Sequence, residues 1–379
     1  MVRTYRYRLY PAKQQQETLR EILWLACWLY NHALAFRRLR WEASRKSVRY
    51  VEQAAMWRDW RNEEAQDNPL RLLNMSAGQQ VLRRLDSAYR QFLKGERGIP
   101  KFRKASHFNS VNYKPGDGAQ VRGKRLYVQN VGLIRIRWHR QLPDGKLKNI
   151  VVLRKPSGWY ALLQIDVAEQ QAEKSANPPV GVDMGISHAL ALSDGMIFDS
   201  PRHLHASLRR LRVLERTKSR KKRGGANRRK VVRQIARLHE CIANQRRDWW
   251  HKVTRQMVDA YGAIVVEDLN LQFMLQNGHL SRTAHDIGLG MFRELLDYKA
   301  IEAGVEVVRV NPHNTSQMCS GCGEVVPKDL RVRVHVCPCC GLTLDRDVNA
   351  ACNVLALGRR AWAPTWPVAA SVAQEAPPL

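Results

Sequence analysis

Three acidic residues stand where a folded chain could turn carboxylates toward one point. Asp183 closes the apolar run Val180-Gly181-Val182, Glu267 closes Ala263-Ile264-Val265-Val266, and Asp347 opens a helical stretch. Carboxylates at the ends of buried strands lie at the edge of an α/β sheet where ligands bind. Oxygens converging there hold hard cations, Mg²⁺ above all, because it keeps positions open for water and phosphate. Two such ions about 4 Å apart can activate a water and stabilise the leaving oxygen of a phosphodiester. Taken singly, each residue has a plainer reading. Asp after a strand commonly serves a turn, and Asp at a helix start commonly caps it. Asp345 also competes with Asp347 for the third place.

Cysteine spacing supplies a second chemistry. Cys319 and Cys322 form one CxxC pair, Cys337 and Cys340 another, with fourteen residues between them. Two such knuckles suit a tetrahedral Cys₄ zinc site, in which the metal acts as a folding element that need not touch nucleic acid. Cys339 is an alternative within Cys337-Pro338-Cys339-Cys340. The repeated CxxC-Gly pattern, ending in Gly323 and Gly341, favours Cys340. Cys27, Cys241 and Cys352 are scattered, and a disulfide framework carries little weight in a chain expected to stay in a reducing compartment.

Charge narrows the partners. The chain has 379 residues, with 63 Lys and Arg against 34 Asp and Glu, a formal net charge of +29. An excess of that size is the footprint of a polyanion. It peaks between Arg209 and Arg233, where thirteen residues are Lys or Arg and Glu215 is the only acid. Arg209, Arg210, Lys218, Arg220, Lys221, Lys222, Arg223, Arg228, Arg229 and Lys230 are the candidates for phosphate contact there. So one-signed a run repels itself unless phosphate neutralises it. No apolar run approaches the ~20 residues of a membrane span. The segment from Met1 to Arg6 lacks a signal-peptide core, so a cytoplasmic location away from membranes is expected.

The elements that must position these groups are legible in outline. Residues 2–10 alternate as a strand and stop at Pro11. Helical spacing follows from about Gln14 to Arg40, on through Arg61, and again from Ser76 to Lys94, where Val81, Leu82, Leu85, Ala88 and Phe92 form a stripe. Beyond Gly98-Ile99-Pro100 the strands 126–128, 133–137, 150–153 and 159–165 are expected, the last two joined at Pro156-Ser157-Gly158. A β-rich module of residues 1–10 and 98–171, with a helical lobe 11–97 inserted, accounts for this order. Strands then alternate with helices over 172–310 and 344–360, which predicts an α/β sheet. A basic helical hairpin spans 203–258, the zinc segment 311–343 interrupts, and the Pro- and Ala-rich tail 361–379 is expected to lack fixed order. His188 is read as a strand residue rather than a base, and Trp249 and Trp250 as core and groove aromatics.

Gly181-Val182-Asp183-Met184-Gly185, Val265-Val266-Glu267-Asp268-Leu269 and Asp347-Val348-Asn349-Ala350-Ala351-Cys352-Asn353 resemble the three motifs of a split RuvC nuclease. Asn314-Thr315-Ser316-Gln317-Met318-Cys319-Ser320-Gly321-Cys322-Gly323 lies between the second and third. In that order the motifs resemble TnpB, the transposon-encoded, RNA-guided DNA endonucleases related to type V CRISPR effectors. Arg8-Leu9-Tyr10-Pro11, Tyr30-Asn31 and Asn244-Gln245-Arg246-Arg247-Asp248 also match, so the likeness covers nearly the full chain, least between about 40 and 75 and after 360.

The resemblance implies a multidomain α+β protein: a β-rich wedge module carrying a helical recognition lobe, then an RNase H-like α/β RuvC domain interrupted by a Cys₄ zinc ribbon. It implies Asp183, Glu267 and Asp347 as Mg²⁺ ligands of one site that cuts both strands. Asp347 is preferred over Asp345 because only it precedes the motif's Asn and Ala. The implied partners are a noncoding guide RNA from the transposon end and double-stranded DNA, bound by a monomer at the prokaryotic nucleoid. Gln79 and Gln80 lie on the lobe that reads the short flanking motif in the family. Glutamine can pair with adenine, though exposed helical glutamine is also common. The hairpin lies beside the guide–target duplex, where phosphate contacts rather than base reading are expected. The rival functions are a guided regulator without cleavage, a DDE-type transposase and a zinc-ribbon transcription factor. The intact triad argues against the first, no long target-joining domain supports the second, and the third leaves the triad unexplained.

Overall fold

The computed structural model describes residues 1–63, 68–168, 172–269, 281–329 and 331–362. The chain forms two compact units, residues 1–169 and 170–379.

In the first unit a period-2 pattern closes on itself. Strands β1 (Val2–Tyr10), β2 (Ser110–Pro115), β3 (Gly118–Arg122), β4 (Arg125–Val128), β5 (Gly132–Arg137), β6 (Lys146–Lys155) and β7 (Gly158–Asp166) make a barrel in the order β1-β5-β4-β3-β2-β6-β7. The N-terminal strand pairs with β7 from Val2↔Asp166 to Leu9↔Trp159 and with β5, so it seals a sheet made some 130 residues later. Tyr7, Leu9, Trp159, Ala161 and Leu163 point inward and are buried. Helices α1 (Lys13–Ser44), α2 (Tyr50–Asn62) and α3 (Met75–Leu93) are inserted between β1 and β2. Asn74 caps α3, its side chain accepting from Ala77 N at 3.0 Å. Strands β2 and β3 were not expected from the pattern. They are short and joined through Pro115-Gly116-Asp117-Gly118, which reads locally as a loop.

In the second unit the sheet order is β10-β9-β8-β11-β12. Strand β8 (Pro179–Asp183) runs parallel to β11 (Ala263–Glu267), which runs parallel to β12 (Glu306–Val310). Strands β9 (Leu190–Leu192) and β10 (Ile197–Phe198) complete an antiparallel edge. The basic run folds as α4 (His203–Ser219) and α5 (Ala226–Ala260), zipped by Leu211, Val231, Ile235 and Ile242. Asp286, in α6 (Ser281–Ile287), anchors the hairpin root. It accepts from the N–H groups of Leu204 and His205 at 2.9 and 3.1 Å and from Arg246 at 3.2 Å.

The sheet is covered on both faces. Val180, Val182, Ile264 and Val266 pack with Trp250 and Met257 of α5 and Phe292 of α7 (Leu289–Ala303), while Val265 and Val310 meet Val354 of α8 (Arg346–Trp362). Trp250 is fully buried and donates to Ile287 O at 2.8 Å; Trp249 packs against the same core. Helix α8 sits close because of glycine. A Cβ on Gly181 would stand 2.1 Å from Ala351 O, and one on Gly358 2.5 Å from Val265. A two-stranded hairpin, β13 (Val334–Val336) and β14 (Thr343–Asp345), leads directly into α8. Residues 363–379 of the tail lie outside the described residues. No helix among those described is long and apolar enough to cross a membrane.

Candidate active site and zinc-ligating cluster

Parallel pairing brings two carboxylates to one edge. Val182 is in register with Val266, so Asp183 and Glu267 follow side by side at the carboxyl ends of β8 and β11. Helix α8 delivers the third. Oδ2 of Asp183 and Oδ2 of Asp347 each lie 3.9 Å from the place a Cβ on Gly185 would take, so both carboxylates approach the same point of the chain after β8. Glu267 is 3 % exposed.

Burial raises the proton affinity of all three acids, and at Asp183 the charges of the other two add to it. Burial pushes the Asp183 carboxyl well above the ordinary carboxylate range, and the charges of Glu267, Asp347 and Asp345 push it further against the pull of Arg346. Burial also raises Glu267, opposed by a hydrogen bond from Thr315. Asp347 is raised by burial and by Asp345, while Arg333, His188 and Arg346 oppose. Gathering anions in a poorly solvated place is unfavourable unless a cation joins them. This oxygen-only donor set fits a hard divalent ion such as Mg²⁺.

Neighbouring acids have other duties. Asp345 Oδ1 accepts from the N–H groups of Asp347 and Val348 at 2.8 and 3.2 Å, so Asp345 is the cap and the Asp347 side chain is not needed for that role. Asp268 is exposed, 3.8 Å from Arg293. His188 lies in the loop between β8 and β9 rather than in a strand, because the chain must turn over Gly185. Its Nδ1 is 2.6 Å from Asp199 Oδ1.

The cysteines meet the geometric requirement for zinc. The Sγ atoms of Cys319, Cys322, Cys337 and Cys340 all lie within 4.8 Å of one another, with two pairs at 3.6 Å. A Zn–S bond of about 2.3 Å places tetrahedral thiolates about 3.8 Å apart. Cys339 is exposed and outside the group.

Thr315, Asn349 and Asn353, which join the two clusters, carry no motif spacing that marks this role. Thr315 Oγ1 donates to Glu267 Oε1 at 2.6 Å. Asn353 Nδ2 donates to the carbonyls of Thr315 and Met318 at 2.9 and 2.7 Å. Asn349 donates to Met318 O at 2.8 Å and accepts from Ser320 N at 2.9 Å. The available signal was polarity out of place: two asparagines one turn apart among the apolar positions of α8. Arg293, donating to Glu267 O at 2.9 Å, left no such signal.

The basic candidates divide. Arg209, Arg210, Arg220, Lys222, Arg223, Arg229 and Lys230 are exposed, and Lys221 is partly so. Lys218 pairs with Glu215, and Arg228 donates to Lys218 O at 2.8 Å, closing the hairpin turn. Gln79 and Gln80 sit partly buried in the first turns of α3.

Three family models match this chain: "Helix-turn-helix domain" over residues 1–46, "Probable transposase" over 162–278, and "Cas12f1-like, TNB domain" over 290–354. A Streptomyces pristinaespiralis protein named an RNA-guided DNA endonuclease is 33% identical over 365 residues, covering 94% of this chain and 89% of its own length. The Escherichia coli K12 protein InsQ, named likewise, is 30% identical over 94% of this chain and 92% of its own length. The CRISPR-associated endodeoxyribonuclease Cas12f1 of Sulfoacidibacillus thermotolerans is 29% identical over 52% of this chain and 49% of its own length. Among solved structures, a Cas12f1–sgRNA–target DNA complex matches with a TM-score of 0.58 at 15% identity, covering 90% of this chain and 83% of that one. That likeness is one of fold.

Proposed function

The chain belongs to the TnpB family, and from that premise we propose that it is a transposon-encoded, RNA-guided DNA endonuclease whose hydrolytic centre is Asp183, Glu267 and Asp347. The observation that carries this reading is the convergence of three carboxylates, with Asp183 pressed by the charges of Glu267 and Asp347, in a chain of net charge +29. A site of that kind binds cations, and a chain of that charge binds polyanions.

In this reading the second unit's sheet is an RNase H-like RuvC domain, the barrel is the wedge module, and α1–α3 form the recognition lobe. A guide RNA pairs with the target strand and carries sequence choice. The protein reads a short flanking motif, with Gln79 and Gln80 as candidates, and lines the duplex with the exposed cations of α4 and α5. Mg²⁺ held by Asp183, Glu267 and Asp347 would supply an activated water and neutralise charge on the leaving oxygen. Asp183, Glu267 and Asp347 hold the ions, and Asp345 frees Asp347 by capping α8. Thr315 fixes the direction of Glu267, and Arg293 steadies the backbone beneath it. Zinc on Cys319, Cys322, Cys337 and Cys340 is structural.

The test is Asp183→Asn in the full-length protein purified with the RNA of its own locus. Mg²⁺-dependent cleavage should fall to background while RNA and target binding persist. Undiminished cutting would move the active site elsewhere, and recovery of no discrete RNA would end the guided reading.

A further inference from the structure

We propose that Thr315, Asn349 and Asn353 form a latch that sets the spacing of Glu267 and Asp347, and that the zinc-ligating segment grips the acidic site through it. The inference rests on the reading of Asp183, Glu267 and Asp347 as metal ligands. The three are positioning residues that act through the ligands.

The proton count supports a single arrangement. Thr315 has one hydroxyl proton and two acceptors in reach, Glu267 Oε1 at 2.6 Å and Pro312 O at 3.0 Å. The bond to an ionised carboxylate is shorter and stronger, so the proton goes to Glu267. A carboxylate with one oxygen tethered presents the other in a fixed direction. Asn353 has two amide protons and spends them on Thr315 O and Met318 O. Met318 O has two lone pairs and accepts from Asn349 as well. Asn349 completes the set with its own oxygen, which takes Ser320 N. Both asparagines are almost wholly buried, at 0 % and 3 % exposed, so these bonds are made away from water.

The geometry of the chain makes this set a bracket. Cys319, the first zinc-cluster thiol, lies between Met318 and Ser320, both held by α8, the helix that carries Asp347 in its first turn. The same segment, four residues earlier, holds Glu267. Two residues on separate elements are thereby fixed by one clamp, and the clamp is fixed by the thiolate cluster. Among the described residues, Thr315 alone donates to the Glu267 carboxylate.

The test is Mn²⁺ binding to the full-length protein, followed by electron paramagnetic resonance, with Asp183→Asn as the blank in each background. Zinc is counted by mass spectrometry on the same samples. Thr315→Val, nearly isosteric, should weaken the Asp183-dependent Mn²⁺ site by roughly 10- to 100-fold, the range for losing a group that orients a metal ligand. It should keep one zinc per chain, and Thr315→Ser should restore binding. The Mn²⁺ concentration for half-maximal cleavage should rise by the same factor with target binding unchanged. Wild-type Mn²⁺ affinity in Thr315→Val overturns the latch and leaves the triad standing. Identical binding by wild type and Asp183→Asn overturns the triad and the latch together.

Discussion

The thiol cluster and the acidic cluster of the second unit are built by opposite means. The four cysteines come from one short segment, residues 319–340, and two CxxC turns suffice to gather them. The three carboxylates come from segments about eighty residues apart, and only β8, β11 and α8 packed together can gather them. A local cluster can use metal binding as its own folding energy. A non-local cluster must be held against its own repulsion by the surrounding fold. The first is therefore legible from spacing alone, and the second becomes legible only once strand ends are recognised.

The largest expected effect comes from removing one thiol. Structural zinc binding is worth roughly 10–16 kcal/mol in small domains, so Cys340→Ser should reduce zinc from one per chain to near none. Cys339→Ser should leave zinc stoichiometry unchanged, because Cys339 is exposed and outside the group. Metal analysis of the purified variants decides between them. Full zinc in Cys340→Ser would break the contrast, since ligand choice would then not follow the local turn.

Legibility in the rest of the chain divides the same way. Strand β1 was visible in the alternation of Tyr5, Tyr7 and Leu9, and the hairpin of β6 and β7 in Pro156-Ser157-Gly158, because both patterns are local in sequence. Strands β2 and β3 were hidden because only Val111 and Tyr113 mark the first, and glycine at positive φ punctuates the turn between them. The apolar runs ending at Asp183 and Glu267 announced strand ends, but not that β8 and β11 are neighbours. The bond from Thr315 to Glu267 joins residues 48 apart and has no periodic signature. Asp345 and Asp347 could not be ranked by residue type, since either can cap. Their division of labour follows from where α8 starts.

Holding carboxylates against repulsion has a pH signature of intermediate size. The folded chain raises the proton affinity of Asp183, through burial first and neighbouring acids second. Between the ordinary carboxylate range and that raised value, the folded state binds more protons than the unfolded one, so stability falls as pH rises. One such group contributes at most about 1.4 kcal/mol per pH unit across the window. Metal-free Asp183→Asn should therefore be more stable than metal-free wild type at neutral pH. The difference should close as pH falls toward the ordinary carboxylate value of 3.8. Urea denaturation in chelator, repeated across that range, measures it. A difference that widens toward acid would mean the triad is not under electrostatic strain.

The smallest effect separates the two aspartates that open α8. Asp345 satisfies two N–H groups of the first turn, and losing an N-cap costs typically about 1 kcal/mol. Asp345→Ala should lower unfolding free energy by about that amount. It should also relieve a like charge on Asp183 and Asp347, so cleavage at saturating Mg²⁺ should survive. Asp347→Ala should do the reverse, abolishing cleavage with stability unchanged or slightly raised, because its carboxylate is not the cap and is repelled by its neighbours. Denaturation and cleavage measured on both variants give a crossed pattern if one acid belongs to the helix and the other to the site. Parallel losses in both would mean that the helix start and the acidic cluster are one unit, and that even the non-local cluster depends on a local turn.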